Sequence, residues 1–518
     1  MAKTINDSES LMQPVLEKTM MEMLAENARN FPDKPAVIYS DQRITYSDLH
    51  QKTKALSHFL IDMGIRPGSR VGLMMNKTPE FIISFLGVSG AGAIALPIDF
   101  NQPVPHLQLL MDLAAPEVMI VSEPYRDVLM SLRFSPGFLG SIVAGGPAPE
   151  LGVAWDRVMA YEKEHSPSIF PEMSAPAYLN LTSGTTGRPK CAVATHANIF
   201  WNTRAAVEAL HLTPDDIHLC LFAVYAHPHE LVARPLYLGG TLVLLDKVSP
   251  KAIAGCVAEN QVTCMMAIPS LYQTLVRLHD SSPFHLSTLR LPESGGMHTF
   301  PALLNDFETR FGKRIVPVWG STEASGIALA MSSNISTRPG SVGKPIPHYG
   351  VRIVDDDGKD VRPGEVGEMV LRGPGVVSRY FSDPVETDRC MRDGWFFTGD
   401  MFWTDADGYY FFAGRRQGMM KVAGMKVYPV EIEETLLAHP DILEAVVVKH
   451  QDDLHGEVPK AIVVVRTGAS VDKRDVRIYC EQRLAKSKVP RVIEFRSEIP
   501  KTSGGKICWQ KLQESQAA

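Results

Sequence analysis

The sequence lacks the features that would place it in several large functional classes. Its seven cysteines, Cys191, Cys220, Cys256, Cys264, Cys390, Cys480 and Cys508, form no CxxC pair and no His/Cys group at zinc spacing, which excludes a disulfide framework or a structural zinc as the reading. A reducing compartment is expected. Positive charge is not in surplus: 52 Lys and Arg stand against 58 Asp and Glu, a formal net charge of −6, with no basic stripe for nucleic acid and no polybasic membrane patch. Anionic ligands must then be met locally. The start, MAKTINDSES, has no basic residues leading into an apolar core and cleavage site, so the expected location is cytoplasmic. The uncharged run from Phe81 to Ile98 contains Gly87, Gly90, Gly92 and Pro97, and reads as a buried helix running into a buried strand, not as an integral membrane segment.

What is present is an ordinary globular composition in a long chain. The 518 residues are 45% hydrophobic and 21% charged, enough for about three or four domain-sized units. Helix and strand patterns alternate through Ala36–Tyr39, Leu49–Leu60, Arg70–Met75, Val118–Val121 and Thr241–Leu245, the pattern of α/β layers with largely parallel sheets. After about residue 345 the texture changes to short strands (Val351–Val354, Glu368–Arg372, Tyr409–Phe412) between turn clusters such as Asp355-Asp356-Asp357-Gly358. The expected organisation is a large N-terminal domain, residues 1–416, with a β-rich subdomain at about 345–416. A smaller α+β C-terminal domain, residues 417–518, follows a boundary at Gly414–Gly418.

The strongest local signal is Leu181-Thr182-Ser183-Gly184-Thr185-Thr186-Gly187-Arg188-Pro189-Lys190, two glycines, four hydroxyls and two cations behind a strand-like Ala177–Leu181. Glycines let backbone N–H groups converge on an anion, and the hydroxyls and cations add donors and charge. The bland alternative is a polar turn, and the string does not match the GxxxxGK[ST] phosphate loop. As a ten-residue string, however, it resembles the TSGTTGxPKG signature of the adenylate-forming superfamily, which includes acyl-CoA synthetases, luciferases and peptide-synthetase adenylation domains. Cys191 stands where that signature usually ends in glycine.

Five further segments fit the same superfamily in order. Trp319-Gly320-Ser321-Thr322-Glu323 resembles its YGxTE motif, whose aromatic packs on adenine and whose glutamate helps hold Mg2+ on the phosphates. Ser294-Gly295-Gly296-Met297 resembles the turn on the other side of the adenine, beside the acyl group. Trp395-Phe396-Phe397-Thr398-Gly399-Asp400 resembles W-x-x-TGD, whose aspartate accepts from the ribose hydroxyls. Arg415, in Gly414-Arg415-Arg416-Gln417-Gly418, falls at a ribose-contacting position, Gln417 at the interdomain hinge, and Gly424 at the lining of the pantetheine tunnel. Pro500-Lys501-Thr502-Ser503-Gly504-Gly505-Lys506 resembles the closing motif, whose second lysine reaches the reacting carboxylate and the α-phosphate. Each string alone is a turn or a solvated charge; together they reverse that reading.

The resemblance implies ATP, Mg2+ and coenzyme A as co-substrates or cofactors and an acyl-adenylate intermediate, with Lys506, Glu323 and Thr182 as the catalytic candidates. No nucleic acid partner is implied, and a monomer or homodimer is expected. The acyl pocket is expected around Leu219–His229, where Ala223 or a neighbour takes the superfamily's histidine position and His227 and His229 lie just beyond. Phe222, Val224 and Tyr225 suit a fatty or aromatic acid or an ordinary core. Arg234 is either a partner for a second substrate carboxylate or a structural cation. A carrier-protein-loading adenylase and a non-catalytic relative are the alternatives. The first is disfavoured because no carrier domain is fused, the second because Glu323, Asp400 and Lys506 are retained.

Overall fold

A computed structural model describes residues 16–147, 152–161, 170–182, 190–331, 338–452, 456–501, 507–508 and 511–512. Ser183, Gly184, Thr185, Thr186 and Gly187 of the candidate phosphate loop, and Lys506, lie outside the described residues.

Two large sheets form the N-terminal part. The first has seven strands in the order Gly152–Ala154, Gly140–Ala144, Val118–Ser122, Arg70–Met74, Ile94–Pro97, Pro176–Thr182 and Lys190–Thr195, parallel except for the last hairpin. Its strands read as near-continuous apolar runs because helices cover both faces. The uncharged segment at 81–98 is the helix Pro79–Gly90, with eleven of its twelve residues buried, followed by the strand Ile94–Pro97. A Cβ on Gly87 or Gly90 would sit 2.7 Å from Leu56 or 2.4 Å from Ser57, so the glycines let this helix press against the helix Tyr46–Asp62. Among the described residues no helix is long and apolar enough to cross a membrane.

The second sheet has fourteen strands. Its parallel half orders Pro35–Tyr39, Thr241–Leu244, Ile217–Cys220, Cys264–Ala267, Leu291–Ser294 and Val316–Ser321 side by side. Beyond Val316–Ser321 it continues antiparallel through Gly326–Ala330, Ser341–Pro345, Tyr410–Arg415, Trp395–Thr404, Gly367–Arg372 and Gly350–Val354. The β-rich region is thus hydrogen-bonded directly onto the α/β layer.

After a 3-10 turn at Arg416–Gly418, a five-stranded sheet begins. It contains Met420–Val422, Met425–Val427, Ile442–Asp452, Gly456–Val465 and Val492–Phe495, packed with the helices Pro429–Leu437 and Lys473–Glu481. Met420, Ile432, Leu436, Ala461, Val463 and Val476 form a core of its own. The architecture is the expected one: a large α/β domain with a β-rich portion, then a small α+β domain.

Candidate functional site

The turn after Leu291–Ser294 and the end of Val316–Ser321 lie at the carboxyl ends of parallel strands, where open α/β sheets place their ligands. Thr182 and Lys190 face each other across the hairpin Pro176–Thr182/Lys190–Thr195, so the two ends of the candidate phosphate loop are held one ladder rung apart. Cys191 points into the core, 1% exposed, and burial pushes its thiol up to about 12. In place of glycine it is an inert packing residue.

Two strings 81 positions apart in sequence are joined side chain to side chain. The strand Val316–Ser321 presents Trp319, whose Nε1–H donates to Asp400 Oδ2 at 2.9 Å. Asp400 lies on the strand Trp395–Thr404, paired in register with Arg415, whose Nε is 2.9 Å from Asp400 Oδ1. Asp400 is 3% exposed, and its Oδ1 accepts no aligned hydrogen bond despite that close cation. Burial raises its pKa, opposed by Arg415 and the Trp319 N–H. A buried carboxylate oxygen that lacks an aligned donor is one that a hydroxyl group could satisfy.

The neighbouring turn follows the strand Leu291–Ser294. Gly295 donates its N–H to Ala267 O at 3.2 Å, and a Cβ there would lie 2.8 Å from Val318 Cγ2; Gly296 has φ +78°. Gly295-Gly296-Met297 therefore runs beside the strand that carries Trp319. Gly320 is required by the backbone, since a Cβ would fall 2.3 Å from Gly326 O and 2.9 Å from Ile327 Cα. Ser321 Oγ accepts from Ala324 N at 3.1 Å, closing the turn that carries Thr322 and Glu323.

Glu323 Oε1 accepts from Tyr380 O–H at 2.6 Å, while its backbone carbonyl accepts from Val377 N at 2.8 Å. Among the described residues no group of three His, Cys, Asp or Glu could hold a metal ion. A single carboxylate is nonetheless what a magnesium bound chiefly through substrate phosphates asks of the protein. Sequence reasoning did not single out Tyr380. Its segment offers no local signal, and only the strand pairing brings it to Glu323.

Arg416 bridges Asp356 and Glu368, each at 2.9 Å, and Glu368 also accepts from Gly399 N at 2.9 Å, steadying the turn before Asp400. Gly424, φ +84°, and Ala423, φ +49°, form the tight turn between Met420–Val422 and Met425–Val427. Nothing lies within 4 Å of a Cβ built on Gly424, so the turn faces open space. Lys501 and Ile507 bridge the ends of the segment that carries Lys506, and Lys501 pairs with Glu444 at 2.8 Å.

In the candidate acyl segment, Leu219, Cys220, Leu221 and Val224 are buried, with Phe222 and Tyr225 partly so. His229 is structural: fully enclosed, it contacts Tyr178 O–H at 2.8 Å and Ser325 O at 3.0 Å, and burial lowers its pKa to about 3. Arg234 is structural too. It pairs with Glu293 at 2.6 Å and Glu230 at 3.6 Å, all three side chains being at most 4% exposed. It is not available to a second substrate carboxylate.

Comparison with known proteins agrees with this geometry. The profile of the AMP-binding enzymes matches residues 24–381, and that of the AMP-binding enzyme C-terminal domain matches residues 431–506, ending on Lys506. A long-chain-fatty-acid–CoA ligase of Bacillus subtilis is 30% identical, covering 97% of this chain and 95% of its own. A feruloyl-CoA synthase of Amycolatopsis is 31% identical, with coverage of 93% and 95%. Among solved structures, the anthranilate CoA ligase AuaEII in complex with anthranoyl-AMP superposes with a TM-score of 0.91 at 28% identity, covering 97% of this chain and 98% of that one. ATP-bound MatB from Rhodopseudomonas palustris gives 0.87 at 26%, with coverage of 96% and 98%.

Proposed function

This chain belongs to the AMP-binding enzymes and is an AMP-forming acid–thiol ligase, and from that premise we propose that it activates a fatty or aromatic carboxylic acid as an acyl-adenylate and passes the acyl group to coenzyme A. The observation that carries the nucleotide half is the junction of Trp319, Asp400 and Arg415, an indole N–H and a guanidinium meeting on one buried carboxylate whose Oδ1 has no aligned hydrogen bond. For the acid half it is Arg234. With its charge spent on Glu293 and Glu230, no second carboxylate is met there, and an apolar acid is favoured over a dicarboxylic one.

In this reading Thr182, Ser183, Gly184, Thr185, Thr186, Gly187 and Lys190 form the phosphate loop. Trp319 with Gly320, Ser321 and Thr322 packs along the adenine, opposite Gly295, Gly296 and Met297. Asp400 and Arg415 hold the ribose. Magnesium, when bound, supplies charge neutralisation on the phosphates, with Glu323 as its protein ligand. The acid and ATP are both anions, so the protein's work is to cancel repulsion and align an in-line attack on the α-phosphate. Lys506 serves the reacting carboxylate and α-phosphate. Residues 1–416 and 417–518 act as two bodies about Gln417. Their rotation withdraws Lys506 and brings the exposed Gly424 turn in to line the thiol's path.

The test is carboxylate-dependent release of AMP and pyrophosphate across aliphatic, aromatic and dicarboxylic acids, with and without coenzyme A. Turnover with octanoate or benzoate relatives, and formation of the thioester, is expected. Preference for a dicarboxylate would overturn the acid assignment, and pyrophosphate release without any thioester would overturn the acceptor.

A further inference from the structure

The lysine that closes the candidate phosphate loop is already engaged. Lys190 Nζ lies 2.5 Å from Glu386 Oε1, a residue 196 positions away, and the two side chains are only 12% and 13% exposed. The same carboxylate accepts from Arg389 at 2.6 and 2.8 Å and from the Cys390 thiol at 3.3 Å. Arg389 above all, then Lys190, holds its pKa down at about 2, so the carboxylate is charged wherever the enzyme works. Asp383 caps the helix Pro384–Cys390 by accepting from Glu386 N at 3.0 Å, which fixes the side chain's point of departure.

The segment leading into that helix is strapped along the strand that carries Lys190. Phe381 N donates to Cys191 O at 2.7 Å, Val193 N to Arg379 O at 3.1 Å, and Ala192 and Tyr380 form a bridge. Tyr380 then reaches across to Glu323. One stretch, residues 379–390, thus grips both the base of the phosphate loop and the carboxylate assigned to magnesium.

An ammonium drawn onto a phosphate would leave Glu386 with only Arg389 and the Cys390 thiol, a costly exchange for a pair this enclosed. We propose that Glu386 is a positioning residue for ATP, anchoring Lys190 so that this lysine fixes the base of the loop and does not itself contact the phosphates. The proposal rests on the reading that residues 182–190 receive the phosphates of ATP. Tyr380 is the second positioning residue of the same strap, setting Glu323 in register with the loop.

The experiment compares full-length Lys190→Gln, Glu386→Gln, the neutral pair Lys190→Gln/Glu386→Gln and the exchanged pair Lys190→Glu/Glu386→Lys, reading the KM for ATP, the KM for the acid and kcat from pyrophosphate release. Each single change should raise the KM for ATP about tenfold or more, with the KM for the acid little altered. The exchanged pair keeps a carboxylate and an ammonium in contact, and is made together with Arg389→Gln because Arg389 would otherwise face the new ammonium; it should return to within about fivefold of the parent. Should the exchange impair folding, as read from the thermal midpoint, the neutral pair decides, because two amides still bond to each other. Failure of both pairs to improve on Lys190→Gln would mean that the lysine's charge acts on phosphate and would overturn the proposal. Absence of any carboxylate-dependent pyrophosphate release in the parent would instead overturn the underlying reading of the loop.

Discussion

Asp400→Asn separates the two demands placed on one buried carboxylate. The amide keeps an oxygen for Trp319 Nε1, now 2.9 Å away, and removes a charge from a position 3% exposed. A hydrogen bond to a charged acceptor is worth about 1.5–3 kcal/mol. Losing the charged acceptor for the ribose should therefore raise the KM for ATP roughly 10- to 100-fold. Stability without nucleotide should move the other way. Burial raises the Asp400 pKa above its ordinary 3.8, against the pull of Arg415 and Trp319. A carboxyl whose folded pKa is raised binds more protons folded than unfolded, so its contribution to stability falls as pH rises through that interval. Asparagine has no such dependence. The variant should melt above the parent at pH 8 by calorimetry, with the gap closing as pH falls toward 3.8. An unchanged KM for ATP would refute the assignment of this carboxylate to the nucleotide, and a lower melting point at pH 8 would refute the burial penalty.

Other changes test separate parts of the argument. Lys77 is 7% exposed, donates to Cys220 O at 3.1 Å, and is lowered by burial from 10.5 to about 8. At 1.36 kcal/mol per pH unit that interval is worth about 3 kcal/mol. This penalty is full below pH 8 and relieved as pH rises to 10.5, so Lys77→Met should be the more stable protein at pH 7 and lose that advantage by pH 10.5 in thermal melts. Gly320→Ala forces a methyl against the Gly326 carbonyl and the Ile327 Cα. It should destabilise the fold by about 1–3 kcal/mol in urea titration and depress adenylation at saturating acid. Lys506→Ala should abolish adenylate formation while ATP still binds by calorimetric titration. Gly424→Leu should leave adenylate formation intact and slow thioester formation, with a small stability loss from the positive φ of that turn.

The sequence was most informative where chemistry is local. Gly295, Gly320, Asp400 and Arg415 sit in strings short enough to be read whole, and the helix Pro79–Gly90 was legible because an uncharged run broken by glycine suits a buried helix in close contact. What connects these strings was not legible. The Trp319–Asp400 hydrogen bond needs the strand Val316–Ser321 to approach Trp395–Thr404 through three intervening strands, a register no local pattern encodes. Tyr380 and Glu386 lie in a polar stretch between motifs and acquire meaning only from the pairing with Lys190–Thr195. Arg234 shows the reverse case. A lone arginine near an acyl segment invites a substrate, yet Glu230, one helical turn before it, and Glu293, on a distant strand, account for it completely.

The continuity of the fourteen-stranded sheet bears on which part of the molecule moves. Because Ser341–Pro345 pairs with both Gly326–Ala330 and Tyr410–Arg415, the strands carrying Asp400 and Arg415 are tied by backbone hydrogen bonds to the strand carrying Trp319. They cannot shift without breaking a sheet. The α+β portion beyond Arg416–Gly418 meets the rest through side-chain contacts such as Lys426 on Asp356, Arg277 on Glu444, His298 on Glu434 and Gln273 on the Leu443 carbonyl. The exposed pair of Lys426 with Asp356 is worth about 0–1 kcal/mol, whereas the small domain keeps its own buried core. The domain alternation proposed above, about the turn containing Gln417, would therefore break no strand pairing of the large sheet. On that proposal the groups assigned to ribose and adenine would stay in place while the groups facing them are exchanged, as two successive reactions on one bound adenylate would require.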